Sequence, residues 1–314
     1  MIQVEGLTKF YGERAAVVDL TFSVPRGQIL GFLGPNGAGK STTMRMLTGY
    51  IGASQGRASI AGFDVFTHSL EVRRRVGYLP ELNPLYPELR VEGYLDFVCR
   101  LRGVPPARRR RRIELAIEAC GLTTRRRELI GRLSKGLRQR VGLAQAMVHD
   151  PDVLILDEPT GGLDPRQTRE TRDLIKQLGR GHTVILSSHV LSEVQATCDR
   201  VVIIDEGHLV ADDTPKALSR RMGASRGQQV EVMVRGDEAA VRECLEAADG
   251  VQRVRLIDAG DGEWQAFVEG SGAELQDSVA QAIVHGGLKL RELRTRSLSL
   301  EDVFLRLTRG ARSK

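Results

Sequence analysis

The chain has 314 residues, 41% hydrophobic and 27% charged, enough for about two domains with their own cores and no need of disulfides or a structural metal. Aromatic residues make up 4%, which disfavours a single-strand binder built on base stacking. The 46 Lys and Arg outnumber the 40 Asp and Glu, and a net charge of +6 admits nucleic acid, a membrane surface or a phosphorylated ligand as partner. The four cysteines, Cys99, Cys120, Cys198 and Cys244, have no metal-binding spacing and read as reduced thiols. Met1-Ile2-Gln3-Val4-Glu5 carries neither region of a signal peptide, and no run approaches the ~20 apolar residues of a membrane span.

In chain order, Ile2 and Val4 predict one strand, and Leu20, Phe22 and Val24 another, before a turn at Pro25-Arg26-Gly27. The apolar run Ile29–Leu33 predicts a buried strand, followed by a glycine-rich loop and a helix from about Gly39 to Leu47. From about 83 to 135 the pattern turns helical, with Tyr94–Val98 and the series Ile113, Leu115, Ile117 as its apolar stripes. This stretch also holds the positive charge. Between Arg100 and Arg127 ten arginines face Glu114 and Glu118, a net of +8 that leaves −2 for the rest of the chain. Arg108–Arg112 reads as a solvated helix face, with anionic lipid headgroups as the functional alternative.

Strands at Val153–Leu156, Thr183–Ser187 and Arg200–Ile204, with helices between, predict a mostly parallel α/β sheet. Composition shifts at Arg220–Gly227, a linker. Beyond it the pattern predicts a strand at Val230–Val234, a helix over 237–248, strands over 251–258 and 263–270, a helix over 273–285 and a strand over 288–296. That order, βαββαβ, is ferredoxin-like, with a last helix over 299–309. The expected domains are 1–222 and 226–314.

Gly34-Pro35-Asn36-Gly37-Ala38-Gly39-Lys40-Ser41 matches G-x-x-x-x-G-K-[ST] at every fixed position, between a buried strand and a helix. The glycines let successive N–H groups turn toward phosphate oxygens, and the helix N-terminus favours negative charge. Lys40 is placed for the β- and γ-phosphates, and the Ser41 hydroxyl for Mg²⁺. The strand Val153–Leu156 runs into Asp157-Glu158, which sets both carboxylates at the carboxyl edge of the sheet. Asp157 is the candidate for the Mg²⁺ shell and Glu158 for the attacking water. His189 follows the strand Thr183–Ser187 at the same edge. In Leu133-Ser134-Lys135-Gly136-Leu137-Arg138-Gln139-Arg140, Ser134 reads as a helix N-cap, or as part of a second anion site at that helix N-terminus.

With these four motifs in this order, residues 1 to about 220 resemble the ATP-binding subunits of ABC transporters, which implies an α/β P-loop NTPase fold with a helical subdomain. Leu133–Arg140 resembles the family's signature, LSGGQ. The resemblance implies that two such domains close over two ATP molecules, each signature meeting the nucleotide of the partner through Ser134 and Gly136. It also implies that Gly34, Asn36, Gly37, Gly39, Lys40, Ser41 and Thr42 bind ATP, and that Tyr11 stacks on adenine. It makes Asp164 the loop joining the two sites, His189 the γ-phosphate switch, and Ser41, Glu81 and Asp157 the Mg²⁺ residues. The sequence departs from the pattern in two places. Lys135 and Leu137 replace a glycine and a glutamine of the signature, and Glu81 stands where a glutamine is usual. Both departures resemble the ABC-2 type exporter subgroup, as does the tail Ser299–Leu305.

The implied function is an ATPase that powers export through separate permease subunits, peripheral to the cytoplasmic face of the inner membrane, as a homodimer and without nucleic acid. The alternative is an ABC-type ATPase acting on ribosomes or nucleic acid. A GTPase is excluded, because neither Asn36 nor Asn83 is followed by the lysine that guanine reading needs. For the C-terminal domain, dimer stabilisation is expected ahead of ligand sensing.

Overall fold

The structure is a computed structural model that describes residues 1–218, 228–271 and 275–296. It divides into two compact units, Met1–Pro215 and Lys216–Lys314. The linker read at Arg220–Gly227, the helix over 299–309 and the tail Ser299–Leu305 lie outside the described residues.

The first unit begins with strands β1 (Ile2–Tyr11), β2 (Arg14–Val24) and β3 (Ile29–Leu33), then helix α1 (Lys40–Leu47) and strands β4 (Gln55–Ile60) and β5 (Phe63–Asp64). Next come α2 (Ser69–Arg75), β6 (Val76–Leu79), α3 (Val91–Leu101), α4 (Pro106–Ala119), α5 (Lys135–Met147) and β7 (Val153–Asp157). The unit closes with α6 (Pro165–Gly179), β8 (Thr183–Ser188), α7 (Leu191–Thr197), β9 (Arg200–Asp205) and β10 (His208–Asp213).

The strands form two sheets. The larger has the order β10-β9-β3-β8-β7-β6, parallel throughout except for the antiparallel β10. The smaller, β2-β1-β4-β5, is antiparallel. Alternation at the N-terminus signalled strands with one buried face; it carried no information that they form a sheet of their own. β3, β7 and β8 are buried at every residue, which explains their unbroken apolar runs. Because side chains alternate, Phe32, Ile155, Ile185 and Val202 join Phe22 and the smaller sheet in one core. Phe22 and Phe32 meet with ring centroids 5.7 Å apart. Burying a side chain such as Phe32 contributes about 1.5–3 kcal/mol. On the other face α7 approaches so closely that a Cβ at Gly31 would strike Val194.

The helical stretch is confirmed from Val91 onward, but its stripe differs from the expected one. Ile113, Ala116 and Ile117 are buried while Leu115 is only partly so, because a helix returns to one face every three to four residues. The structure also disperses the arginine stretch. Arg100 pairs with Asp96, Arg110 with Glu114, Arg125 with Glu128, and Arg126 with Glu92. Arg102 donates to the Arg73 carbonyl, Arg109 to that of Val104, and Arg112 to those of Met147 and Val148. Much of the stretch serves to tie helices together.

In the second unit the described elements are β11 (Gln228–Arg235), α8 (Glu238–Glu246), β12 (Val251–Gly260), β13 (Glu263–Gly270), α9 (Leu275–His285) and β14 (Lys289–Arg296). The sheet order is β12-β13-β11-β14, all antiparallel. Val230, Val232 and Val234 pack with Val241 and Leu245 of α8 and Val279 and Ile283 of α9. Asp237 caps α8 by accepting from the Ala239 and Ala240 N–H groups.

Gly77 lies in β6 where α5 crosses it, and a Cβ there would fall onto the Ala146 carbonyl. That obstacle is backbone and cannot turn away. Gly77→Ala is therefore expected to lower stability by about 1–3 kcal/mol, read as a shifted midpoint in urea denaturation.

Candidate functional site

The strand order sets the site. β3, β8, β7 and β6 are consecutive neighbours, and Leu33 is in register with Ser188, Asp157 with Ser187, and Leu79 with Leu156. The loops after these four strands therefore leave one edge of the sheet side by side. They carry Gly34–Ser41, His189, Glu158 and Glu81, which lie far apart in sequence. Ligands of open α/β sheets bind at such an edge.

The glycine loop has two kinds of constraint. Gly37 (φ 82°) and Gly39 (φ 102°) adopt left-handed backbone, which favours glycine. At Gly34 and Gly39 the space is closed as well: a Cβ would lie 2.6 Å from the Ile204 carbonyl oxygen and 2.5 Å from that of Ala16. Lys40, the first residue of α1, is 7% exposed. Its Nζ donates to the carbonyls of Gly34 at 2.7 Å and Pro35 at 3.2 Å. It lies 3.8 Å from Glu158 Oε1. Burial lowers the Lys40 pKa, against the upward pull of Glu158, Asp157 and Glu81.

Asp157 ends β7 at 1% exposure, and its Oδ1 accepts from Ser187 Oγ at 2.5 Å. Ser187 Oγ in turn accepts from the Glu158 N–H at 3.0 Å. Glu158 itself has φ 48°, a conformation that costs a residue with a Cβ about 1–3 kcal/mol. The turn brings its Oε2 to 2.9 Å from His189 Nδ1. With Glu158 ionised, Nδ1 must carry the proton for this contact. Burial raises the Glu158 pKa although His189 and Lys40 pull it down. The His189 side chain is 55% exposed, open to the cleft.

The cleft measures about 1120 Å³. Tyr11, Asn36, Gly37, Gly39, Lys40, Ser41, Thr42, Glu81, Glu158 and His189 line it. Tyr11 stands at the end of β1, 47% exposed, with Lys9 Nζ 5.5 Å from its ring centre. Glu81 leaves β6 on a segment held to α5, where Gln145 donates to the Tyr78 carbonyl and Asn83 to that of Arg138. Gly34 and Asp157 support the cleft from behind and do not line it. Ser134, Gly136 and Asp164 also lie off it. Ser134 caps α5 by accepting from the Leu137 N–H at 3.3 Å, a bond of about 1 kcal/mol. Gly136 leaves room for Gln167, and Asp164 caps α6 by accepting from the Gln167 N–H at 2.8 Å.

Sequence reasoning missed several members. Lys135 and Arg138 line the cleft beside the glycine loop, and Lys135 Nζ packs over Gly162. Gln139 donates to the Pro159 carbonyl at 2.9 Å. Ser187, which joins Asp157 to the Glu158 backbone, had a signal: it stands near the end of β8, two residues before His189.

No group of three His, Cys, Asp or Glu suited to a metal occurs among the described residues. Ser41 and Glu81 line the cleft and Asp157 stands behind it, oxygen donors of the kind a hard cation takes.

Lys40→Ala removes the ammonium together with its two contacts to the loop carbonyls of Gly34 and Pro35. Nucleotide affinity is expected to fall about 10- to 100-fold, as for loss of a charge-assisted bond. Isothermal titration with ATP measures it, and unchanged affinity would contradict the phosphate role.

Comparison with known proteins agrees with this geometry. The family model described as "ABC transporter" matches residues 17–161. The linearmycin resistance ATP-binding protein LnrL of Bacillus subtilis (strain 168) is 32% identical over 311 residues, 98% of each chain. The bacitracin transport ATP-binding protein BcrA of Bacillus licheniformis is 40% identical over 214 residues, 68% of this chain and 69% of that one. A solved ATP-binding subunit of an ABC transporter superposes with a TM-score of 0.65 at 31% identity, covering 71% of this chain and 93% of that one. The chain is an ATP-hydrolysing P-loop protein of the α/β class and belongs to the family of ABC transporter ATP-binding proteins.

Proposed function

We propose that this chain powers export of a substrate through separate membrane subunits, by closing as a homodimer over two ATP molecules and hydrolysing them. The observation that carries the reading is the meeting of Lys40, Glu158 and His189 in one cleft, at the ends of neighbouring strands. Export is supported by the linearmycin resistance and bacitracin transport proteins to which the chain is similar. No helix among the described residues is long and apolar enough to cross a membrane. The proposed location is the cytoplasmic face of the inner membrane, bound to the permease. Four arginines of the basic stretch pair with acids of this chain, which lessens the charge left for nucleic acid.

The residues divide the labour. The loop Gly34–Thr42 and the N-terminus of α1 hold the phosphates, Lys40 exchanges its carbonyl partners for phosphate oxygens, and Tyr11 takes the adenine face. Ser41, Asp157 and Glu81 hold Mg²⁺, which neutralises phosphate charge when bound. Glu158 orients a water and accepts its proton as the water oxygen bonds to the γ-phosphorus and the bond to the ADP oxygen breaks. His189 keeps the Glu158 carboxylate aimed and faces the γ-phosphate. Ser134, Gly136 and Asp164, off the cleft of their own protomer, act toward the nucleotide of the partner. The second unit, 226–314 in this reading, is an accessory domain of ferredoxin-like order that stabilises the dimer. Its sheet order supports that likeness.

Glu158→Gln keeps the shape and removes the base. ATP binding is expected to persist, turnover to drop at least about 100-fold, and ATP to trap a dimer seen by size-exclusion light scattering. A variant turning over at the wild-type rate would overturn the assignment.

The wild-type rate is expected to fall on the acid side, because Glu158 must be ionised to take a proton. Burial raises its pKa, so this acid limb should lie above the 4.5 of an ordinary glutamate in a profile of kcat/KM against pH.

A further inference from the structure

Glu158 and His189 follow separate strands, β7 and β8, and a contact 2.9 Å long joins their side chains. Neither is held by deep packing alone. Glu158 sits on a left-handed turn and the His189 side chain is 55% exposed. A second contact bridges the same two segments further back. Thr160, two residues after Glu158, is buried at 8% exposure, and its Oγ1 donates to Glu193 Oε2 at 2.5 Å. Glu193 lies in the first turn of α7, four residues after His189.

Both ends of this bridge are rigidly tied. The Gly161 N–H donates to the Glu158 carbonyl at 3.0 Å and the Leu163 N–H to the Thr160 carbonyl at 3.2 Å, so Thr160 is built into the Glu158 turn. On the other side, Leu191 and Val194 are buried, and Val194 sits against Gly31 of β3. The Val190 N–H donates to Ser188 Oγ at 3.0 Å, fixing the lead from β8 into α7. A closed ring results: Glu158, Thr160, Glu193, His189 and back to Glu158. A hydroxyl donating to a carboxylate is among the stronger hydrogen bonds, and in a partly buried place it defines a distance between the two loops.

We propose that Thr160 and Glu193 are a positioning pair, which sets where His189 stands relative to Glu158 and so controls the hydrolytic step without touching nucleotide. This rests on the roles assigned above to Glu158 and His189.

The test measures steady-state ATP hydrolysis, ATP affinity and melting temperature for the full chain and its variants. Thr160→Val and Glu193→Ala are each expected to lower kcat about tenfold, while KM for ATP stays within about twofold and the melting temperature within a few degrees. Thr160→Ser, which keeps the hydroxyl, is expected to recover most of the rate. The double variant should be no worse than either single one, since both remove the same bond. Wild-type kcat in Thr160→Val or Glu193→Ala would overturn the proposal, as would losses that multiply in the double variant. His189→Ala separates the two levels of the argument. If it loses turnover while the pair's variants keep it, the positioning role fails and the site reading stands. If His189→Ala itself turns over normally, the role of His189 fails and the pair's role falls with it.

Discussion

A buried ammonium ion organises this molecule. Lys40 is 7% exposed, and an ion so placed is costly unless its surroundings answer it. Two backbone carbonyls do so directly, and Glu158 does so at 3.8 Å. Each answer demands something of the fold. The carbonyls of Gly34 and Pro35 can curl back to the amine only because the loop passes through backbone shapes and close approaches that exclude Cβ atoms. Glu158 can face the amine only because β7 lies one strand removed from β3 in a parallel sheet buried on both faces. The partners are also weak enough to be exchanged. In the proposed function phosphate oxygens of higher charge take the place of these carbonyls, so the same contacts that hold the loop suit it to an anion.

The same edge of the sheet stores cost in a second form. Glu158 combines a left-handed backbone with a carboxylate that burial disfavours as an ion. Its surroundings hold it there through Ser187 on one side and His189 on the other. Residues in such positions persist only where neighbours over-determine them, which is how a fold keeps a reactive group aimed. Ser187 has a double part, donating to Asp157 and accepting from the Glu158 backbone, so the strand that presents His189 also sets both carboxylates.

The rest of the first unit holds that edge steady. The arginines of α4 and its surroundings brace α3, α4 and the end of α5 through carbonyls and short-range acids. Formal charge on a stretch of sequence thus overstated the charge available to a partner. Paired guanidinium groups still count in the sum, but their fields are largely answered locally.

Some features were legible in the residues by themselves. The glycine loop could be read because φ and close-contact requirements leave glycine as the workable choice at fixed spacing. The strands β3, β7 and β8 could be read because burial on two faces favours apolar runs, with polar residues kept to the strand ends Thr183, Ser187, Ser188 and Asp157. Asp157, Glu158 and His189 could be placed at one edge because each follows such a strand. The second unit's alternation of elements was legible for the same local reasons. Other features needed the chain in three dimensions. Periodicity says that a strand is half-buried and not which sheet it joins, so the separate antiparallel sheet emerged only from pairing. The Arg126–Glu92 pair, the Arg112 contacts to the end of α5, the left-handed turn at Glu158 and the Thr160–Glu193 bridge all depend on partners about thirty residues away. Local sequence carries backbone preference and burial. Hydrogen bonds between distant side chains are decided by which strands become neighbours, and that is a property of the tertiary structure alone.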